Sequence, residues 1–268
     1  MNWNSFNSRL IFTANLVAQT GLRVGAAGQA AEPAAPDLPV MKDARERPFI
    51  PGSSLRGALR SHIERIVRTL EPQPGAGRGA CNPLTLNDEV EDHACVTDKQ
   101  KKVWDSADDL AEKIWNHSCR ICRVFGSPWL ASRVRMTDLL CVNGARTEVR
   151  DGVSINREKE TVEQKYDFET VPSGSRFALE IVAENLAEEE RGLLWLGIEE
   201  LRRGQILVGG FKGRGLGRVA LEDERLRLVE GKAGLRAYLL SGELPQISPD
   251  KAEVWLEKFV SALTPGGK

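Results

Sequence analysis

The chain is short of histidine and tyrosine and has no long apolar run. Three histidines and two tyrosines among 268 residues leave little material for imidazole catalysis, and no Ser-His-Asp order or paired-carboxylate pattern stands out. The longest apolar stretches, such as 10–12 and 139–142, are far too short to span a bilayer. No basic start followed by an apolar segment opens the chain, so a cytoplasmic protein without membrane contact is expected. Five cysteines without a secretion signal argue against a disulfide framework. A dominant charge is missing too: 37 Lys plus Arg against 38 Asp plus Glu give a net charge of −1, so no global field draws in nucleic acid. With 41% hydrophobic and 28% charged residues, disorder, collagen and coiled coil are excluded, and a sizeable core is possible.

What charge there is has a pattern. Arginines number 25 against twelve lysines, and arginine suits bidentate phosphate contacts and stacking. From 41 to 68 seven basic residues face three acidic ones, and 119–135 holds Arg120, Arg123, Arg133 and Arg135 with no acid. Acidic residues gather at 88–112 and 184–190. A charge run is usually a solvated face, so this pattern permits a polyanion partner without requiring one.

Residues 8–20 alternate between apolar and polar, as a half-buried strand does. The loop 21–43 is rich in Gly, Ala and Pro and too long to be a bare connection. At Pro51-Gly-Ser53-Ser54 a helix starts, with either serine as N-cap, and runs to about Leu70. Leu55, Leu59, Ile63, Ile66, Val67 and Leu70 form its buried stripe, while Arg56, Arg60, Glu64 and Arg68 step along a face able to meet phosphate. An acidic, irregular insertion over 80–118 is expected to hold one short helix at about 105–115. Strands over 133–142 and 176–184 follow, with a projecting hairpin between them around 150–157, then a helix over 188–203, a glycine loop and a strand over 218–229. The order strand, helix, strand, strand, helix, strand is that of an α+β, ferredoxin-like (βαββαβ) fold with large insertions. A tail helix carries Trp255, Leu256, Phe259, Val260 and Leu263, and no internal repeat is present.

Three motifs carry chemistry. The segment 209–218 has five glycines among ten residues, interleaved with Lys212, Arg214 and Arg218. It fits neither nucleotide template. Its two readings are a bulged turn and a phosphate cradle of free N–H groups, and the cations tilt the balance to phosphate. Cys119-Arg-Ile-Cys122 gives two thiolates at zinc-site spacing, and His93-Ala-Cys95 adds an imidazole and a third thiolate. A structural Cys₃His zinc site is expected, with Cys81 as substitute ligand and Cys141 in the core. The competing reading is buried cysteines beside a surface histidine. Asp37 is the carboxylate in the mobile loop beside basic residues; alone, it would be an ordinary turn aspartate.

Taken together, 48–57, 119–126 and 209–219 resemble, in that order, the helix-start, zinc-and-FG and glycine-loop motifs of RAMP-superfamily backbone subunits of type III CRISPR effector complexes. The resemblance implies a single domain with an RRM-like palm at 1–20, 48–71, 126–142 and 175–230. It further implies a catalytic loop at 21–47, a zinc-bearing insertion at 80–125, a thumb hairpin at 143–174 and a helical tail at 231–268. Copies of the chain, or related RAMP subunits, would stack in a helical filament along a guide RNA, joined by other type III subunits. Backbone contacts would come from Arg23, Lys42, Arg45, Ser53, Ser54, Arg56 and Arg60, and from Gly210, Lys212, Gly213 and Arg214 in the glycine loop. In the thumb, Val153 and Ile155 would wedge between bases beside Arg150 and Arg157, leaving base pairing to read sequence. RAMP subunits that cut target RNA carry an aspartate in a pattern like Asp37-Leu-Pro-Val40. Asp37 would then be the catalytic residue, promoting attack of the target's own 2′-hydroxyl on the adjacent phosphate. Magnesium or manganese would assist, and Lys42 or Arg45 would steady the developing charge. Two other readings compete: a non-catalytic guide-holding scaffold, and a zinc-bearing RNA-binding protein unrelated to CRISPR.

Overall fold

Strict alternation of apolar side chains builds one of the longest strands, β1 (Ser8–Ala18), which buries Leu10, Phe12, Ala14 and Leu16 on one face. The structure is a computed structural model that describes residues 5–26, 36–87, 89 and 93–263. Parts of the expected catalytic loop (27–35), of the acidic insertion (88 and 90–92) and of the tail (264–268) lie outside the described residues.

β1 pairs antiparallel with β7 (Arg176–Glu184) on one side and β8 (Val219–Glu230) on the other, and β3 (Val134–Met136) extends the sheet beyond β7. The order is β3-β7-β1-β8. One face of this sheet is covered by α1 (Gly52–Leu70) and α5 (Glu188–Arg202). Leu55, Leu59, Ile63 and Val67 of α1 meet Leu193, Leu194, Ile198 and Leu201 of α5 in a continuous core. Each such side chain contributes about 1.5–3 kcal/mol by leaving water. The helices approach closely because Gly197 has no side chain; a Cβ there would come within 2.7 Å of the Ile63 Cδ1. After β8 come α6 (Gly231–Ser241) and α7 (Pro249–Ala262), and α7 lays Trp255 and Phe259 on α5 over Gly192. The chain is thus α+β with antiparallel sheets, the expected class.

Four local expectations need correction. Neither Ser53 nor Ser54 caps α1: the cap position is Pro51, and the Gly52 N–H donates to the Asp138 carboxylate at 2.9 Å. The strand expected over 133–142 breaks at Thr137-Asp138 into β3 and β4 (Leu139–Leu140), and β4 pairs with β2 (Phe49–Ile50) instead of continuing the sheet. One contact explains both. The Met136 and Thr137 carbonyls press on Gly52, where a Cβ would sit 2.3 Å from the first, so the chain bends and delivers Asp138 to the helix start. The insertion, in turn, is more helical than expected, with α2 (Asp98–Trp104), α3 (Leu110–His117) and α4 (Arg120–Phe125). Thr97 and Gln100 close a reciprocal capping box on α2. Lastly, α6 lies in a tail expected to hold a single helix.

Between β4 and β7 the chain forms an antiparallel hairpin of β5 (Glu148–Asn156) and β6 (Thr161–Thr170). Val149, Val153, Ile155 and Val162 are all exposed on it.

Candidate nucleic-acid interface and metal centre

Four thiols converge where α4 begins. Cys119 is the N-cap of α4, Cys122 lies in its first turn, Cys81 follows the glycine turn after α1, and Cys95 precedes α2. The Cys81 Sγ lies 3.5 Å from that of Cys122 and 3.7 Å from that of Cys119, and all four sulfurs fall within 4.8 Å of one another. Thiolates about 2.3 Å from a tetrahedral zinc stand about 3.8 Å apart, so the donor set fits a metal ion such as zinc. Backbone N–H groups of Cys119 and Cys122 already point at sulfurs, at 3.2 and 3.4 Å. Hydrogen bonds from Cys122, Cys81 and Cys95 hold the Cys119 thiol far below its ordinary range, while its bond with Cys119 pushes Cys122 up. The expected Cys₃His set is corrected in one ligand. His93 Nδ1 lies 2.7 Å from the neighbouring Ala94 carbonyl, its ring stands outside the group, and Cys81 takes the fourth place.

Asp37 lies exposed at the foot of the hairpin, where the loop runs along β6. Its N–H donates to Asp167 Oδ1 at 2.6 Å, and the Asp167 N–H returns a bond to Asp37 Oδ2 at 3.1 Å. Leu38 bridges Phe168 in parallel fashion and accepts the Glu169 N–H at 3.0 Å. Buried Glu169 takes the Val40 N–H at 3.0 Å, the Lys42 ammonium at 2.6 Å and the Thr147 hydroxyl. Burial raises the Glu169 pKa, but those three bonds outweigh it and hold the carboxyl below its ordinary range. Lys42 is thus engaged by Glu169 at the base of the hairpin. Arg45 stays exposed beyond it, in a turn organised by Asp43, which accepts N–H bonds from Arg45 and Arg47. The Arg47 guanidinium holds the Asp43 carboxyl down to about 2.

Beside this loop lies a group of rings and guanidiniums. Arg23 sits 4.8 Å and Arg214 4.5 Å from the centre of the Phe211 ring, Arg214 also covers Tyr166, and Phe168 meets Phe211 edge-on at 5.0 Å. No ion pair with a carboxylate is formed by Arg23 or Arg214 among the described residues. The Arg23 Nε is buried without a hydrogen-bond partner, and desolvation lowers its pKa. Two uncompensated cations on one ring are the surroundings an anion favours. Tyr166, Phe168 and Phe211 were not singled out in the sequence, although a lone phenylalanine inside a glycine-rich basic loop was a readable sign. Phe211 adopts φ +56°, a left-handed conformation rare for a bulky residue.

The glycine loop is less open than its composition suggests. The Gly210 N–H donates to the Arg23 carbonyl, that of Gly217 to Gly21, and those of Arg214 and Gly215 to Phe211 and Lys212 within the loop. Gly209, at φ +85°, lies so close to Arg23 that a Cβ would fall 2.2 Å from its carbonyl oxygen. Glycine here thus serves mainly for tight docking onto 21–25, and exposed Lys212 and Gly213 form its open tip. A shallow groove of about 210 Å³ runs from that tip along α1, lined by Ala58, Ser61, His62, Arg65 and Lys212. Arg56 and Arg60 turn away from it: Arg56 donates to the Phe125 carbonyl and Ser132, and Arg60 to the Gly126 carbonyl at 3.0 Å and to Glu64. The cation of α1 that faces the groove is Arg65. Ser53 and Ser54 are exposed in the first turn. Arg150 leans toward Gly21 while paired with Glu148, and Arg157 is exposed at the hairpin tip.

An antiparallel sheet backed by two helices, a projecting hairpin and a docked glycine loop define the class to which this chain belongs: it is a member of the RAMP superfamily, whose model it matches over residues 15–220. Two relatives bear the name CRISPR system Cms endoribonuclease Csm3. That of Methanocaldococcus jannaschii is 24% identical over 237 residues, covering 83% of this chain and 82% of its own length. That of Methanothermobacter thermautotrophicus is 26% identical over 255 residues, covering 83% of this chain and 87% of its own.

Proposed function

We propose that the chain is a guide-RNA-binding backbone subunit of a type III CRISPR interference complex, and that it cleaves complementary target RNA with Asp37. The observation that carries this reading is an exposed loop aspartate bonded to Asp167 of β6, a strand whose neighbouring Tyr166 and Phe168 meet Arg214 and Phe211, with Arg23 and Arg214 on the Phe211 ring and without a carboxylate partner among the described residues. The strand order β3-β7-β1-β8 and the two covering helices support a ferredoxin-like palm. The names borne by the two relatives support an endoribonuclease of such a complex. Further copies of the chain or related RAMP subunits would form the helical filament with other effector subunits, and the thumb hairpin would engage guide and target.

In the reaction the 2′-oxygen of the target attacks the adjacent phosphorus and the bond to the 5′-oxygen breaks; that oxygen takes a proton from solvent, leaving a 2′,3′-cyclic phosphate and a 5′-hydroxyl. Asp37 Oδ2 is occupied by the Asp167 N–H, so Oδ1 is the atom that accepts the 2′-proton or fixes the in-line geometry. Arg23 and Arg214 hold phosphates by charge and hydrogen bonding. Among the described residues no group of three or more carboxylate or imidazole ligands comes together beside Asp37, so no step is assigned to the magnesium or manganese that the resemblance implies. The four-cysteine centre would hold zinc structurally, tying the insertion to α4; all four positions are filled by thiols, which leaves none for catalysis.

The test is cleavage of an end-labelled, guide-complementary RNA by the assembled complex, with magnesium or manganese, wild type beside Asp37→Ala. Cuts that vanish in the variant, with assembly and guide content unchanged, are expected. A wild-type complex that binds target tightly and does not cut would leave the chain a scaffold.

A further inference from the structure

Both hydrogen bonds that Asp37 makes among the described residues end on Asp167. The rest of the segment is held on two sides: within the loop the Ala26 N–H donates to the Pro39 carbonyl and the Met41 N–H to the Val24 carbonyl, while on β6 the Leu38 carbonyl accepts the Glu169 N–H and the Glu169 carboxylate takes the Val40 N–H and the Lys42 ammonium. Within β5 and β6, Asp167 stands opposite Asp151, and Tyr166 opposite Gly152, where a Cβ would come within 2.4 Å of the ring. Asp167 is therefore two strand positions from Lys165, the partner of Val153, and continuous through the backbone with the exposed apolar part of the hairpin.

We propose that Asp167 is a positioning residue for Asp37, and that β6 thereby makes the hairpin and the cleavage loop one mechanical unit. The inference rests on the reading of Asp37 as the catalytic group. Asp167 contributes in two distinct ways. Its carboxylate oxygen receives the Asp37 N–H, which fixes the loop backbone, and its own N–H holds Asp37 Oδ2, which fixes the side chain and leaves Oδ1 toward solvent. The first bond depends on the side chain at 167; the second is made by backbone and survives substitution. A group misplaced by about 1 Å in such a site costs about 100-fold in rate. Displacement of the hairpin by guide and target would be transmitted through these bonds to Asp37 without any contact between the hairpin tip and the scissile phosphate.

The experiment compares wild type, Asp167→Ala, Asp167→Asn and Asp37→Ala in the assembled, guide-loaded complex, measuring kcat and KM on guide-complementary RNA together with guide content. Asp167→Ala is expected to lower kcat by about 10- to 100-fold with KM and guide content unchanged. Asp167→Asn keeps an amide oxygen to accept the Asp37 N–H and is expected to stay within about threefold of wild type. The same rate in Asp167→Ala as in wild type would overturn the proposal. So would an Asp167→Asn variant as inactive as Asp37→Ala, since the negative charge would then be the requirement, or a change confined to KM. Persistent cleavage by Asp37→Ala would instead remove the reading of Asp37 itself, an outcome visible in its own lane whatever the two Asp167 variants do.

Discussion

The substitution of one ligand at the thiol centre follows from how single side chains are turned. His93 and Cys95 are both ligands of the expected set, but the His93 ring is engaged by its own neighbouring carbonyl. Cys81 arrives from the far end of α1 through a glycine turn in which Gly79 has φ +65°. Spacing along the chain reveals a Cys-x-x-Cys pair; it cannot reveal which distant residue the turn brings in. Purified chain is therefore expected to carry about one zinc, to lose it in Cys81→Ser and Cys119→Ser, and to keep it in His93→Ala, as read by metal analysis of the purified protein. A His93→Ala variant without zinc would contradict the assignment. Close by, the buried Glu71 takes two bonds from Arg120, both at 3.0 Å. Glu71→Ala removes both close bonds of the buried Arg120 guanidinium, leaving it only the looser Glu189 pairing at 3.6 Å, and is expected to destabilise the fold by about 3 kcal/mol in urea titration. Arg23 and Arg214 differ from this pair in having no carboxylate. Removing either is expected to leave stability nearly unchanged and to flatten the slope of log affinity for single-stranded RNA against log salt by about 0.7.

At the scale of elements, what was legible was periodicity. The alternation of β1 and β7 and the apolar stripe of α1 from Leu55 to Val67 are written in nearest-neighbour pattern and fold as read, whereas Leu70, expected at the end of that stripe, is exposed where the helix stops. The break of the second strand was not legible, because it depends on Gly52 meeting the Met136 and Thr137 carbonyls from 84 or more positions away. The helix α2 was legible and missed: its Thr97–Gln100 capping box is a local signal. The arginines of α1 were read as one face, yet helical spacing cannot say that Arg56 and Arg60 would find the carbonyls of 125 and 126 while Arg65 found the groove. In the hairpin, Val153 and Ile155 are 49% and 59% exposed, so changing both to serine is expected to alter stability by no more than about 0.5 kcal/mol each. If they wedge between bases as proposed, the same double variant loses regular target cleavage while retaining guide, which gel mapping of the products would read. Unaltered cleavage would assign the hairpin a different role.

Across the whole molecule, three glutamates, buried Glu71 and Glu169 and exposed Glu230, share one behaviour. Burial raises Glu71, Glu169 and Glu230, but bonds from Arg120, Lys42 and Arg191 with their neighbours outweigh it, so each carboxyl titrates below its ordinary value of 4.5. A carboxyl depressed in the folded state gives stability that is complete above the unfolded value and lost as pH falls through the folded one. The melting temperature is therefore expected to be level from neutral pH down to about 5 and to fall below 4.5; Glu71→Gln should show a shallower fall, and an equally steep one would assign the acid sensitivity elsewhere. With a net charge near zero, affinity for RNA has to come from local arrangement of arginines rather than from a global field.

The proposed function brings that arrangement and the loop aspartate together at the target strand, so the ends of the cleaved RNA are the most direct observation. Mass analysis of products from a guide-loaded complex should find 2′,3′-cyclic phosphate on one side of each cut and 5′-hydroxyl on the other, at regular intervals, with none from Asp37→Ala. Products ending in 3′-hydroxyl and 5′-phosphate, or cuts that persist in Asp37→Ala, would contradict cleavage by 2′-oxygen attack at Asp37.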